Sequence, residues 1–387
     1  MVAMESTGTR TSRWKYFQRV AAREWRRILQ NPIYLIGSAG VLAFCSFFFL
    51  TFFEQGMPED LPIGVVDLDR SFMSREFARN LDATQLGKVI HYDSFSEARE
   101  DMMKGNLTAI CVIPEHLYTD ALSSRQPVVT YYLNSLYFVG GALAYKDLLT
   151  MVNLTNGSVK RQVLQARGLN EDAIMGLIRP IQVDTHQIGN AYTNYGYYLI
   201  NILLPAILEM IVIIIVIYAL GTELKYSTSR TLLRHSGGSV VTAVTGKLFV
   251  YTLLFILLGI VLELLLYSWM HFPIKGSILN MILNVILLVL ASESVAIFIF
   301  GCLPVTRLAM SIGALYSVLG FSLSGFTLPI EAMPAAIQGW AAAFPIRHYY
   351  LFYTQEVIFG SGWPGWWTQV VAMLLFTLLP FTVIKRI

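Results

Sequence analysis

GTELKYSTSRTLLRHSGGSVVTAVTGKL, residues 221–248, interrupts two long runs of apolar side chains. ILLPAILEMIVIIIVIYAL (202–220) precedes it and FVYTLLFILLGIVLELLLYSW (249–269) follows it. A bilayer-crossing helix needs about 20 predominantly apolar residues, and each flanking run supplies them. The stretch between is rich in Ser, Thr, Gly and basic residues, so the chain leaves the membrane there and returns at once. That pattern makes the fold class an α-helical membrane protein.

Composition agrees. Of 387 residues, 55% are hydrophobic and only 14% are charged, where a soluble domain carries about 25% charged. Cys45, Cys111 and Cys302 form no CxxC pair, and neither a disulfide framework nor a metal site is expected. Basic residues ahead of Ile33–Phe53 imitate a signal peptide. That apolar run is too long for a signal core and no small-residue cleavage site follows, so it reads as a retained membrane helix.

Six segments qualify as spans: about 33–53, 198–220, 248–269, 279–303, 308–328 and 367–384. If they simply alternate, Arg10, Arg13, Lys15, Arg19, Arg23, Arg26, Arg27, Lys225, Arg230, Arg234, Lys247, Arg307, Lys385 and Arg386 all lie on one side. The opposite short loop, MHFPIKGS (270–277), carries only Lys275. The positive-inside rule then places both termini and the 221–247 loop in the cytoplasm.

Residues 54–196 differ. Glu54–Tyr195 holds 17 acidic and 12 basic residues, a net of −5, with ordinary soluble composition. IGVVDLD, KVIHYD, AICVIP and VVTYYLN read as strands, and SREFARNLDAT, SFSEAREDMMKGN and EHLYTDALSSR as helices between them. The alternation predicts an extracytoplasmic α/β domain inserted between membrane helices 1 and 2. A helical stalk over about 137–165 and a returning strand, RPIQVDTHQI, complete it.

In WKYFQRVAAREWRRILQNP, Trp14, Phe17, Ala21, Trp25, Ile28 and Leu29 recur at helical spacing, with Arg19, Arg23, Arg26 and Arg27 at the other positions. This predicts an amphipathic helix over 1–31 lying in the headgroup layer, ended by Asn31-Pro32. After the fifth span comes SGFTLPIEAMPAAIQGWAAAFPIRHYYLFYTQEVIFGSGWPGWW (324–367). It is too apolar for a free loop and too broken by Pro329, Pro334 and Pro345 for one spanning helix. A re-entrant segment over 329–350 is predicted.

Catalytic patterns are missing. Gly246-Lys247 is followed by Leu248 rather than Ser or Thr, so the phosphate-binding loop is imitated but not made. Asp67 and Asp69 read as turn and capping groups. Glu209 and Glu293 fall near the middle of spans 2 and 4, and Glu263 toward the end of span 3. Buried acids are expensive in a membrane. They line either a polar pathway attractive to cations or an interhelical hydrogen-bond network, with Glu263 better suited to the latter.

Taken together, these features resemble the permease subunits of type 2 ABC exporters, in particular a bacterial drug-efflux-like branch with a large external domain after the first span. The resemblance spans essentially the whole chain. It rests on the Arg/Trp helix ending in Asn31-Pro32, the domain opening with IGVVDLD, and the loop beginning Gly221-Thr222-Glu223. It rests also on Ser324-Gly325-Phe326, Pro329-Ile330-Glu331, Met333-Pro334 and FPIRHYY from Phe344. The family's proline after the leucine pair is missing beyond Leu232-Leu233.

The resemblance implies a coupling helix within 221–247 that docks on a separate ABC ATPase subunit through Glu223, Lys225, Arg230, Leu232, Leu233 and Arg234. It implies an interfacial helix built on Trp14, Arg19, Arg23, Trp25, Arg26 and Arg27. Pro329, Glu331, Pro334, Pro345, Arg347 and His348 would form an outer gate, and Glu209 and Glu293 are the substrate-pathway candidates. This chain would bind no cofactor, with ATP and Mg held by the partner ATPase. Other expected partners are a second permease subunit, identical or paralogous, membrane lipids, and in some assemblies a periplasmic adaptor, but no nucleic acid. The location implied is the bacterial cytoplasmic (inner) membrane, and the cargo hydrophobic or amphipathic. A scaffold or receptor of a secretion system, acting through its external domain, has the same layout and stays open at this level.

Overall fold

The computed structural model describes residues 5–54, 56, 59–84, 87–123, 125–134, 138–178, 189–190 and 194–383. Two compact units divide the chain: Met1–Glu54 with Gln187–Ile387, and Gln55–His186.

The first unit holds six helices long and apolar enough to cross a membrane: Pro32–Phe52, Tyr195–Lys225, Val240–Trp269, Ile278–Cys302, Thr306–Leu323 and Trp363–Val383, here spans 1 to 6. An additional N-terminal helix covers Glu5–Gln30. Local signals set the starts. Asn31 ends the N-terminal helix and its side chain accepts from the Ile33 N–H, with Pro32 at the first helical position. Asn194, Ser239 and Ser277 cap spans 2, 3 and 4 by accepting from the backbone N–H of Tyr197, Thr242 and Leu279. Spans 2 and 4 are mostly buried and pack on each other, while spans 1, 5 and 6 are mostly exposed. The exposed faces are apolar, with Phe44, Phe47 and Phe52 on span 1 and Leu315 and Val318 on span 5, as a lipid-facing perimeter requires.

Three span ends differ most from the sequence expectation. Span 2 runs on to Lys225 and span 3 starts at Val240, so the polar loop is 226–239 rather than 221–247. The helices absorb Glu223 and Lys247 because each meets buried partners of opposite charge, as described below. Span 5 stops at Leu323, earlier than the expected 328. Gly325 follows with φ +91°, a left-handed turn that glycine adopts without strain.

The segment expected to be re-entrant is a 3₁₀ turn (Ile330–Ala332) and two short helices, Ala335–Ala341 and Pro345–Tyr353. The three prolines sit at the starts of these elements, where a missing N–H costs nothing. The last helix buries Ile346, Tyr349, Phe352 and Tyr353 in the core of this unit.

The second unit contains a four-stranded sheet in the order β2-β1-β3-β4, with β1 Leu61–Asp67, β2 Gly87–Tyr92, β3 Ala109–Ile113 and β4 Thr130–Leu133. β1 is parallel to β2 and β3, and β4 is antiparallel to β3. Alternation along β1 and β3 splits the core. Ile63, Val65, Ala109 and Cys111 face Phe77, Leu81 and Leu148, while Val66 and Ile110 face Ala98 and Leu107. Asp67 accepts from the backbone N–H of Asp69 and Arg70 and from the Ser74 hydroxyl, and Asp69 accepts from the Tyr118 N–H, so both acids serve the turn and the following helices. The helix expected as a stalk covers Phe138–Ala166. Its first half is not free: Ala144 and Leu148 belong to the sheet core. The expected strand RPIQVDTHQI lies outside the described residues.

Glu356 fastens the first unit at one end. Its carboxylate accepts from the Ser277 N–H (2.6 Å), the Asn280 amide (2.8 Å) and the Trp366 indole (2.8 Å), joining the starts of spans 4 and 6. Glu356→Ala leaves these donors unpaired, at roughly 1–3 kcal/mol each if they stay buried. Thermal unfolding in detergent should show a clear fall in Tm for Glu356→Ala and a smaller one for Glu356→Gln, which keeps an acceptor. Equal Tm values for Glu356→Ala and the wild type would refute this role.

Candidate functional site

The N-terminal helix has three faces rather than two. At 3.6 residues per turn, Val20, Glu24 and Ile28 share one arc, Trp14, Trp25 and Leu29 a second, and Arg19, Arg23, Arg26 and Arg27 the third. The first arc is buried and the second is exposed. Span 3 takes the buried arc. The Phe17 ring meets Phe249 edge-on at 5.2 Å. Gly246 lets the two helices approach so closely that a Cβ there would lie 3.1 Å from Val20 Cβ.

Glu24 is the acid on that buried arc, and it organises the site. The Lys247 ammonium donates to Glu24 at 2.7 Å and to Glu223 at 3.0 Å, and both ends of the Lys247–Glu24 pair are fully buried. Arg23 reaches Glu24 at 3.2 Å and Glu223 at 3.1 Å. Arg27 pairs with Glu223 and lies 3.9 Å from Glu24. Thr228 Oγ1 donates to Glu223 at 2.5 Å. Three cations and two carboxylates thus join the N-terminal helix, span 2, span 3 and the polar loop. Burial disfavours the Arg27 charge, but Tyr34, Glu24 and Glu223 outweigh it and hold its pKa above the usual value.

The loop contains a short helix, Ser229–His235. Thr228 stands at its N-cap position, but its hydroxyl is engaged by Glu223 and caps nothing. Leu232 turns inward against Val20 and Ala243, with Leu233 beside them. Lys225, Arg230 and Arg234 stay exposed. The expected docking set therefore divides. Glu223 and Leu232 are buried and cannot touch a partner, because the ion network and the Val20 contact occupy them. Lys225, Arg230 and Arg234 can.

The interfacial set divides similarly. Trp14, Arg19, Trp25 and Arg26 are exposed, whereas Arg23 and Arg27 are drawn into the network. The sequence reading passed over Glu24. The signal was an acid at i+4 from Val20 and i−4 from Ile28, on a face otherwise apolar.

The acids inside the spans are all buried. Glu209 makes no hydrogen bond of normal geometry, although the Ile346 N–H at the start of the Pro345–Tyr353 helix is close by. Glu293 accepts from Thr252 at 2.7 Å and keeps one oxygen without a partner. Glu263 is fully buried and accepts from Tyr349 at 2.8 Å.

The residues expected at the outer gate fall into two groups. Pro329, Glu331 and Pro334 are exposed. Pro345 and His348 are buried, and the His348 ring nitrogens lie 2.8 Å from Gln369 Oε1 and 3.0 Å from the Ala342 carbonyl, tying this helix to span 6. Arg347 donates to the Ser324 carbonyl at 3.0 Å and so ties the Pro345–Tyr353 helix to the end of span 5.

Among the described residues the membrane unit thus has six candidate spans, with a cationic helix packed along span 3. The family model described as ABC-2 family transporter protein matches residues 33–384, and the chain belongs to that family. Among curated proteins, no match was found. The chain is a multi-pass membrane component of an ABC transporter, a family whose permeases work with an ATPase partner.

Removing one member of a buried ion network leaves uncompensated charge and costs about 3–5 kcal/mol. Glu24→Gln should therefore destabilise strongly, because it raises the surplus positive charge of the network from one to two, and adding Lys247→Met should restore part of the loss. Chemical or thermal unfolding of the two variants measures this. A double variant as unstable as the sum of its parts would rule out coupling between the two side chains.

Proposed function

We propose that the chain is the permease half of an ATP-driven exporter, with the 226–239 loop as the contact for the ATPase. The observation that carries this reading is the short helix Ser229–His235, which shows Arg230 and Arg234 outward while Leu232 and the Glu223–Lys247–Glu24 network hold its base. A helix fixed on one side and charged on the other can take a push from a partner and pass it to spans 2 and 3 together. The chain carries no phosphate-binding loop of its own, so ATP and Mg belong to the partner ATPase.

In this reading both termini and the 226–239 loop are cytoplasmic, in a bacterial inner membrane, and the unit Gln55–His186 is an extracytoplasmic α/β domain inserted between spans 1 and 2. Two permease subunits face each other, and the exposed apolar faces of spans 1 and 5 are available for lipid and for that pairing. The segment from Pro329 to Arg347 forms the outer gate. The cargo is hydrophobic or amphipathic, and Glu209 and Glu293, with their unpartnered oxygens, are the groups able to meet a positive or hydrogen-bonding cargo.

Three outcomes are expected. Arg230→Glu combined with Arg234→Glu should reduce the ATPase subunit that co-purifies in mild detergent several-fold, with membrane insertion unchanged. Undiminished yield would exclude the short helix as the docking element. Native cysteines report the topology. Cys302 is exposed, whereas Cys111 is buried and its thiol is pushed up to about 12 by burial, far above neutral pH. With Cys45 replaced by Ala, an impermeant maleimide should label Cys302 in inverted vesicles only, and Cys111 on neither side until the protein is denatured. Labelling of Cys302 in right-side-out vesicles would reverse the orientation. Glu209→Gln should lower transport of cationic cargo more than of neutral cargo, and equal effects would make Glu209 a structural group.

A further inference from the structure

An open cavity of about 780 Å³ lies between the N-terminal helix and the 226–239 loop. Arg19, Arg23, Arg26 and Arg27 line one wall, with Asn31 at the junction to span 1 and His235 from the short helix opposite. No acid lines it. The buried network behind it is not neutral: Arg23, Arg27 and Lys247 bring three positive charges to two carboxylates, Glu24 and Glu223. Arg19 and Arg26 add two more, and neither has an ion-pair partner among the described residues. Arg19 only lies over the Tyr16 ring, 5.7 Å from its centre. The cavity thus faces an uncompensated charge of about +3, a strong demand for an anion.

The depth of the site identifies the anion. The arginine arc adjoins the arc of Trp14, Trp25 and Leu29, whose side chains are 59%, 54% and 58% exposed. Exposed Trp on an amphipathic helix settles at the headgroup level of a bilayer. Ile33 and Ile36, just beyond Asn31, are exposed too and begin the lipid-facing surface of span 1. A cavity opening beside these residues meets lipid phosphates, whereas a docked protein would have to displace the bilayer from them. Basic pockets at the cytoplasmic ends of membrane helices are suited to anionic headgroups, and arginine matches phosphate oxygens with two parallel donors.

We propose that this cavity is a binding site for the phosphate headgroup of an anionic phospholipid. The bound headgroup bridges Arg19 and Arg26 of the N-terminal helix to His235 of the short helix and neutralises the surplus charge of the network. The inference rests on the interfacial placement of the N-terminal helix. It is tested on the full-length permease without any ATPase, so its failure is distinct from failure of the coupling reading.

Native mass spectrometry of the purified protein in detergent, titrated with phosphatidylglycerol or phosphatidylcholine, gives the affinity for each. Phosphatidylglycerol should bind tighter than phosphatidylcholine. Arg19→Gln with Arg26→Gln should weaken phosphatidylglycerol binding about 25-fold, taking about 5-fold for each arginine, and leave phosphatidylcholine binding unchanged. Both residues are exposed and outside the buried network, so the variant should fold, and its Tm checks this. Arg13→Gln with Lys15→Gln removes the same charge from the same helix away from the cavity and should leave phosphatidylglycerol binding nearly unchanged. Equal binding of the two lipids, or equal losses in the two double variants, would overturn the proposal in favour of diffuse surface attraction. Glycerol phosphate competing at the same concentration as the lipid would overturn it in favour of a soluble phosphate site. In a separate co-purification with the ATPase subunit present, an Arg19→Gln, Arg26→Gln variant that loses that subunit, after keeping its phosphatidylglycerol binding in the ATPase-free titration, would overturn the proposal and assign the cavity to an acidic protein surface.

Discussion

Five charged side chains gathered where span 2 ends and span 3 begins tie the N-terminal helix to the membrane unit. Glu24 comes from the N-terminal helix, Glu223 from span 2 and Lys247 from span 3, with Arg23 and Arg27 completing the set. Each alone would be costly to bury. Together they let span 2 continue to Lys225 and span 3 begin at Val240 without leaving a bare charge. The loop between them is shortened as a result, and the short helix within it is packed onto Val20 of the N-terminal helix by Leu232 while Thr228 ties its start to Glu223 of span 2. In the proposed transport cycle, the same brace turns a push on one helix into a displacement of several.

The other end of the unit uses neutral groups and single carboxylates. Glu356 gathers three donors from the starts of spans 4 and 6, Glu263 takes the Tyr349 hydroxyl, and Asn284 donates to the Tyr349 carbonyl at 3.2 Å. These bonds embed the Pro345–Tyr353 helix among spans 3, 4 and 6, while Pro329, Glu331 and Pro334 remain at the surface. The outer gate proposed for this segment would therefore have only the turn and the Ala335–Ala341 helix at the surface, with Gly325 at its start.

Much of the membrane unit was legible in the sequence because hydrophobic length is a strong signal. All six spans overlap their expected places, with the largest shift at the start of span 3, and Asn31-Pro32 marks the first boundary. Legibility failed where charge is compensated across the fold. Nothing local to Glu223 or Lys247 says that each will meet a partner some 24 residues away or on the N-terminal helix, so both were read as loop residues. Arg23 and Arg27 looked like headgroup contacts for the same reason. The strands around Ile63 and Ala109 were readable from alternation, whereas the packing of Ala144 and Leu148 on that sheet was not, because the long helix carries no clear apolar stripe that distinguishes a stalk from a cover. Of the expected docking residues, Lys225, Arg230 and Arg234 are exposed whereas Glu223 and Leu232 are buried. Side-chain type alone does not reveal burial.

The most direct test of the brace is a pulsed-EPR distance between spin labels at Gln18 and Thr231, both exposed, in the ATPase-bound assembly with and without trapped ATP. A third label at Leu279, exposed at the far end of span 4, supplies the reference. A rigid brace predicts an unchanged Gln18–Thr231 distance while the distance from either to Leu279 shifts with nucleotide. A Gln18–Thr231 distance that changes on ATP binding, with the distances to Leu279 constant, would show that the N-terminal helix and the short helix move independently, contradicting coupling through the buried network.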